Sequence, residues 1–258
     1  MCAKILAIAN QKGGVGKTTT TLTLSAAFAR RGLRVLVADL DPHACASLHM
    51  KFYPEEQDVT LHDILLAEPH NWAELWRKCI KPTGQEGLFA APGSIRLSEL
   101  ELDLRERGGK GMVLSQTLAL VAPHYDYIVL DCPPHVGILL VNALVAADLL
   151  IIPIQTDFLA LHGLKLLFDT IRTLNKVLPA PVRYMALPTM YDKRARACKR
   201  VLDLLRIKMG HAMFHTVVGV DTRFREASAM GCFIYDLDPL SRGAANYDAL
   251  AEEVHALW

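Results

Sequence analysis

The chain has no stretch approaching the roughly 18–20 consecutive apolar residues that span a bilayer. Its first apolar run, residues 5–9, is short and leads straight into glycines and a lysine. Neither a membrane span nor a secretory signal is therefore expected. The six cysteines (Cys2, Cys45, Cys79, Cys132, Cys198 and Cys232) include no pair at C-x-x-C spacing, and no histidine stands near one in a zinc pattern. They read as reduced, mostly buried thiols of a cytoplasmic protein. An excess of one charge is missing as well. Lys and Arg number 28 against 27 Asp and Glu, a formal net charge of +1, so no global field steers the chain toward nucleic acid or an acidic membrane. Any such binding has to come from a local patch, or from patches brought together by assembly. Internal repeats, low-complexity tracts and linkers are absent too. A content of 52% hydrophobic and 21% charged residues excludes disorder, and one domain spanning residues 1–258 is expected.

What is present is an alternation of apolar runs of strand length with helical patterns. Strands are predicted at 4–10, 34–39, 88–91, 127–131, 149–154, 184–187 and 213–218. Helices are predicted at 18–31, 94–106, 111–122, 137–147, 159–178, 193–209, 222–230 and 241–257. The segment 42–87, which holds Pro42, Pro54, Pro69 and Pro82, reads as loops and short helices. Apolar strands that do not alternate, separated by helices, imply an α/β fold: a mostly parallel twisted sheet with helices on both faces.

Asn10-Gln11-Lys12-Gly13-Gly14-Val15-Gly16-Lys17-Thr18-Thr19 follows the first strand and opens the first helix, the context a Walker A phosphate loop requires. Glycines let backbone N–H groups turn toward phosphate oxygens, and the helix N-terminus adds its positive dipole end. Lys17 is placed to reach the β- and γ-phosphates and the Thr18 hydroxyl to ligate magnesium. The spacing departs from G-x-x-x-x-G-K-[ST], because Gln11 stands where the first glycine belongs and Lys12 precedes Gly13-Gly14. Two ammonium groups beside one triphosphate are crowded within a subunit. The alternative is that Lys12 points across an interface to a nucleotide in a facing subunit, where it neutralises charge during phosphoryl transfer.

The second strand ends in Asp39-Leu40-Asp41-Pro42. An aspartate at the carboxyl end of a parallel strand either caps the next element or serves the ligand crevice, holding a magnesium-bound water or orienting the attacking one. The strand 127–131 ends in Asp131-Cys132-Pro133-Pro134, a Walker B pattern in which Asp131 contacts magnesium and the prolines end the ladder. The densest basic run is Lys193-Arg194-Ala195-Arg196-Ala197-Cys198-Lys199-Arg200. It is either a solvated helix face or a sequence-independent contact to phosphate backbones.

Residues 12–18, Lys-Gly-Gly-Val-Gly-Lys-Thr, resemble the deviant Walker A loop of the ParA/MinD ATPases, and within them the ParA/Soj-type partition proteins. The resemblance runs over nearly the whole chain and implies a P-loop fold with slow, partner-stimulated hydrolysis of Mg-ATP. It makes Lys12 the signature lysine that acts in trans within an ATP-sandwiched dimer, and Asp41 the group that orients the water, beside magnesium. Lys12, Gly13, Gly14, Val15, Gly16, Lys17, Thr18 and Thr19 then hold the phosphates, with Thr18, Asp131 and Asp41 about the metal. The motif usually continues Gln-Gly-Asn, whereas this chain has His43-Ala44-Cys45. The segments 187–192 and 216–227 resemble those near the base, so Met190, Gly219 and Asp221 are expected to meet adenine. Many members have Pro-Arg-Asn at 219–221; here the arginine is replaced by Val220. Non-specific DNA contact is then expected from Arg194, Arg196, Lys199 and Arg200, with Arg223 and Arg225. The partners implied are a second copy on ATP binding, DNA, and a ParB-like or other adaptor that stimulates hydrolysis, with a cytoplasmic, nucleoid-associated location. The chain starts at the first strand without a helix-turn-helix segment. Its C-terminus lacks the basic amphipathic character of a MinD membrane anchor, so no membrane partner is expected. The alternatives are a MinD-like membrane-cycling ATPase and an ATP-dependent biosynthetic ligase of related fold.

Overall fold

Successive side chains of each strand point to opposite faces that are both covered, which explains why the apolar runs do not alternate with polar residues. In the computed structural model, which describes residues 3–100, 104, 108–158 and 164–258, the strands are β1 (Lys4–Ile8), β2 (Val35–Asp39), β3 (Lys81–Pro82), β4 (Leu88–Ala91), β5 (Tyr127–Asp131), β6 (Leu149–Gln155) and β7 (Tyr184–Thr189). They form one sheet in the order β3-β4-β2-β5-β1-β6-β7. Every pairing is parallel except that of β3 with β4. Leu6 and Ile8, Val35 and Val37, and Leu149 and Ile151 face one core, whereas Ala7, Leu36, Ala38, Leu150 and Ile152 face the other. Both faces are apolar because both are covered.

The first core lies under α1 (Lys17–Ala29) and the C-terminal helices. The second lies under the helices between β2 and β7. The helices of the chain's middle are α2 (Cys45–His49), α3 (Leu61–Leu66), α4 (Trp72–Cys79), α5 (Val113–Leu118), α6 (Ile138–Ala146) and α7 (Leu164–Leu174). They are followed by α8 (Arg196–Met209), α9 (Arg223–Met230), α10 (Ile234–Leu237) and α11 (Arg242–His255). The segment 42–87 is short helices and turns except for Lys81–Pro82, which pairs with β4 as the unexpected strand β3. The helix predicted at 94–106 begins as a 3-10 turn, Ile95–Ser98, and its residues 101–103 and 105–107 lie outside the described residues, as do 159–163 of the helix predicted at 159–178.

Two expectations are corrected. Residues 213–218 are not a strand: they meet β7 at isolated points, a bridge of Met213 to Ala186 and the N–H groups of Phe214 and Val218 on the Ala186 and Pro188 carbonyls, with a second bridge, Tyr191 to Gly219, just beyond both segments. Pro188 has no N–H to donate at the centre of this edge, and the N–H groups of His215 and Thr216 turn away to the Glu253 carboxylate at 2.6 and 3.0 Å. The basic helix starts at Arg196, not 193. Asp192 accepts the Arg194 N–H at 2.9 Å and its guanidinium at 2.9–3.0 Å, and this turn holds the chain out of helical geometry up to Ala195.

The carboxyl edge of the sheet gathers the motifs. Ile8 pairs with Asp131, and Asp131 with Asp39. The phosphate loop and both strand-end aspartates therefore sit on one rung of adjacent strands. Gly93 closes this rung from the β4 side: its N–H donates to Ser47 Oγ at 3.0 Å, and a Cβ there would collide with the Asp39 carbonyl oxygen and Leu97. Gly93→Ala is expected to cost about 2–3 kcal/mol of stability, measured by denaturant unfolding. Loss of less than about 0.5 kcal/mol would mean that this edge is not tightly packed.

Candidate functional site

The loop between β1 and α1 is held at three points. Asn10, 2% exposed, accepts the Lys12 N–H at 3.0 Å and donates to the Pro153 carbonyl on β6 at 2.7 Å. Thr189, at the end of β7, donates to the Val15 carbonyl at 2.9 Å. Gly14 and Gly16 take φ of 73° and 92°, values that L side chains adopt only with strain. Around Gly13, Gly14 and Gly16 nothing lies within 4 Å of where a Cβ would stand. Helix α1 starts at Lys17 with no side-chain cap. The result is a set of backbone donors facing open space, which fits an anion such as a phosphate chain.

Lys17 fills the loop from inside. It is 8% exposed and its ammonium donates to the Lys12 carbonyl at 3.4 Å. Burial lowers its pKa, and Asp131 and then Asp41 oppose that. Lys12 does not enter the loop: its ammonium donates to Gln155 Oε1, at the end of β6, at 3.1 Å.

Three carboxylates stand beside Lys17. Asp131 is wholly buried and accepts the hydroxyls of Thr18 at 2.8 Å and Thr21 at 3.0 Å. Asp39, equally buried, accepts the Ser47 N–H and hydroxyl at 2.8 and 2.7 Å and the Asp41 N–H at 3.2 Å. Asp41 is 7% exposed and accepts the His43 N–H at 3.0 Å. Burial raises the pKa of both Asp39 and Asp131, and like charge adds to it, from Asp39 and Asp41 on Asp131 and from Asp41 on Asp39. One lysine does not balance this cluster, so a cation belongs there. Among the described residues no three His, Cys, Asp or Glu side chains form a ready-made metal cage. That suits magnesium, which keeps waters and takes one or two protein ligands together with substrate phosphates. Thr18 and Asp131, hydrogen-bonded to each other, are the residues that could hold such an ion, with Asp41 nearby.

The expected base-side residues come together. Tyr191 pairs with Gly219, and Val220 donates to the Tyr191 carbonyl at 3.1 Å. Met190, in the left-handed region at φ 52°, is joined to Thr156 through its carbonyl at 3.3 Å. The Thr189 bond to Val15 brings this corner to the loop. Asp221 is engaged in capping: its carboxylate accepts the N–H groups of Arg223 at 3.0 Å and Gly243 at 2.9 Å.

The expected DNA contacts divide. Arg194 is paired with Asp192 at 2.9 Å, and Arg223 with Glu226 at 2.6 Å and Asp238 at 3.4 Å. Arg196, Lys199 and Arg200 are exposed in the first turns of α8, and Arg225 on α9.

Sequence reasoning passed over Asn10, Ser47, Thr21, Thr189 and Gln155. Asn10 and Thr21 lie beside the phosphate loop and Thr189 beside Met190; Ser47 and Gln155 come from segments that nothing in the spacing connects. The segment after Asp41 carries Ala44 at φ 51° where the usual motif has glycine. It is docked on the α9–α10 corner: His49 Nε2 bonds the Cys232 carbonyl at 2.9 Å, and Lys51 packs where Gly231 lacks a Cβ. A cavity of about 260 Å³ lies between α1, α2 and α9, lined by Thr19, Leu22, Cys45, Phe224 and others.

The family described as "AAA domain" matches residues 3–182. The chain is 37% identical over 254 residues to the sporulation initiation inhibitor protein Soj of Bacillus subtilis (strain 168), covering 98% of each chain. It is 35% identical over 256 residues to the chromosome partitioning protein ParA of Caulobacter vibrioides (strain NA1000 / CB15N), covering 97% of this chain and 93% of that one. The chain belongs to the ParA/MinD family of ATPases. A solved structure of cobyrinic acid a,c-diamide synthase from Mycobacterium smegmatis, with bound ADP and magnesium, superimposes with a TM-score of 0.84 at 30% identity, covering 99% of this chain and 95% of that one. As a ParA/MinD ATPase the chain therefore carries its deviant loop on the seven-stranded sheet described above, with the Lys17 ammonium on the loop's own backbone and that of Lys12 on Gln155 at the end of β6.

The carboxylate cluster makes stability depend on pH. Asp39 and Asp131 have folded pKa values above their unfolded ones. Their contribution is therefore full at acid pH and is lost as pH rises through about 6 to 8. The protein without magnesium or nucleotide should show a falling thermal midpoint across that window, and Asp131→Asn should remove much of the fall. A midpoint that rises with pH there would contradict the unbalanced cluster.

Proposed function

We propose that the chain is a ParA-type positioning ATPase that binds Mg-ATP in the loop 12–19 and closes as a dimer with nucleotide sandwiched between two copies. The dimer binds DNA without sequence preference, an adaptor of the ParB type stimulates hydrolysis, and the cycle moves or segregates DNA or another cargo on the nucleoid. The observation that carries this is the separation of the two lysines. Lys17 already occupies the loop interior, whereas the Lys12 ammonium lies on the neighbouring strand end, where it serves its own loop poorly and a facing subunit well. Within the site, Lys17 and the loop N–H groups neutralise the phosphates, Thr18 and Asp131 hold the ion that bridges their oxygens, and Asp41 accepts a hydrogen bond from the attacking water.

The basic start of α8 supports the DNA arm. Arg196, Lys199 and Arg200 stand at a helix N-terminus, where the macrodipole disfavours positive charge by a few tenths of a kcal/mol or more each. Among the described residues none of them has an ion pair. Unpaired cations kept against the local dipole point to an external anion. Arg194 and Arg223 would first have to leave Asp192 and Glu226.

The likeness to cobyrinic acid a,c-diamide synthase favours a second reading, an ATP-dependent amidating ligase. It gives Lys12 no role across an interface, and product analysis with cobyrinic acid as substrate tests it directly.

Lys17→Ala should abolish ATP binding in calorimetry, and Asp41→Ala should bind ATP, block turnover and trap the dimer. Wild-type hydrolysis by Asp41→Ala would remove that residue from the water's coordination. DNA binding should require ATP, since two weak patches act together, and should weaken steeply with salt. Replacing Arg196 and Arg200 together should lower affinity for every duplex alike and flatten the salt slope by about two per subunit, leaving dimerisation intact. An unchanged slope would move the DNA surface to Arg223 and Arg225.

A further inference from the structure

The contact of Lys12 with Gln155 is unexplained by the phosphate loop alone. The base of Lys12 is immobile: its N–H is held by Asn10, and Asn10 is held by Pro153 on β6. Two residues further along the same strand, Gln155 accepts the Lys12 ammonium at 3.1 Å. Backbone and side chain of Lys12 are therefore both referred to β6. β6 in turn is registered against β7, with Gln155 opposite Thr189, the residue that pins Val15. An amide oxygen is a neutral acceptor. It orients an ammonium by one directed bond without forming the ion pair that a carboxylate would, so the contact holds Lys12 and still releases it.

We propose that Gln155 is the positioning residue of Lys12: it parks the ammonium at the rim of its own subunit's site and hands it to the nucleotide of a facing copy when two copies meet. This rests on the reading of Lys12 as a trans-acting group. Each subunit must break its Lys12–Gln155 bond before the sandwich closes, so only the unlatched fraction of each subunit is competent to dimerise. Both subunits carry the latch, and its effect on the dimer enters twice. A charged side chain at 155 would hold Lys12 too firmly, and a truncated one would leave it unrestrained.

The test measures, by sedimentation of the full chain with magnesium and a non-hydrolysable ATP analogue, the protein concentration at which half the chains are dimeric. ATP affinity is measured in parallel at concentrations where the chain is monomeric. Gln155→Ala should lower the half-dimer concentration by about tenfold or more with monomer ATP affinity unchanged. Gln155→Glu should raise it by about tenfold or more, because the bond becomes an ion pair. Gln155→Asn, which keeps the amide but falls short of the ammonium, should follow alanine and separates the effect from misfolding. In a Lys12→Ala background all three should have no further effect. The proposal is overturned if the alanine and glutamate variants dimerise like the parent, if both shift the same way, or if the shifts persist without Lys12. If Lys12→Ala alone dimerises and hydrolyses like the parent, the trans role of Lys12 fails and this proposal with it. If Lys12→Ala is inactive and the Gln155 variants are silent, only the role of Gln155 fails.

Discussion

A fully buried carboxylate, Asp131, joins the sheet to the helix that carries the phosphate loop. It ends β5, pairs in register with both Ile8 and Asp39, and accepts two hydroxyls from the first turns of α1. Those two bonds hold α1 in line with β1, so that the intervening residues bulge outward as a loop of donors. The same carboxylate is too buried to be stable as a lone anion, and its neighbours Asp39 and Asp41 increase the strain. The geometry that builds the phosphate cradle thus also creates the deficit of positive charge that a metal–nucleotide complex corrects. Structure and ligand are coupled through one side chain.

Six of the sheet's strands were legible in the sequence because each is a short apolar run bounded by a motif or a turn; β3, only Lys81–Pro82, is too short to show as one. The phosphate loop was legible because its residues are consecutive and their chemistry depends on that spacing. Legibility stopped where a hydrogen bond to a distant group decides the local structure. Glu253 claims the N–H groups that would have made 213–218 a strand, and Asp192 captures Arg194 and delays α8. Glu253 is far away in sequence, and Asp192, though adjacent, acts by a side-chain turn that periodicity does not report. Gln155 was invisible because it lies on a strand end without a motif, and Thr189, though inside the segment 187–192, reaches the loop only through the parallel register of β6 and β7.

Charge is distributed with economy. The chain is almost neutral overall, yet its cations differ in availability. Arg194 and Arg223 spend their charge inside the molecule, whereas those opening α8 do not. The segment after Asp41 reaches the α9–α10 corner through His49 and Lys51, which gives the water-positioning loop a direct packing contact with the helix bearing Arg225.

The broken pairing along 213–218 has a consequence for the molecule's dealings with its own kind. A regular eighth strand would have presented a straight ladder of free donors and acceptors to any other chain. Here the outermost segment touches β7 at isolated points and turns its amides inward to Glu253. The opposite border ends in a two-residue strand containing Pro82. Neither border is a template for growth into fibrils or runaway sheet extension.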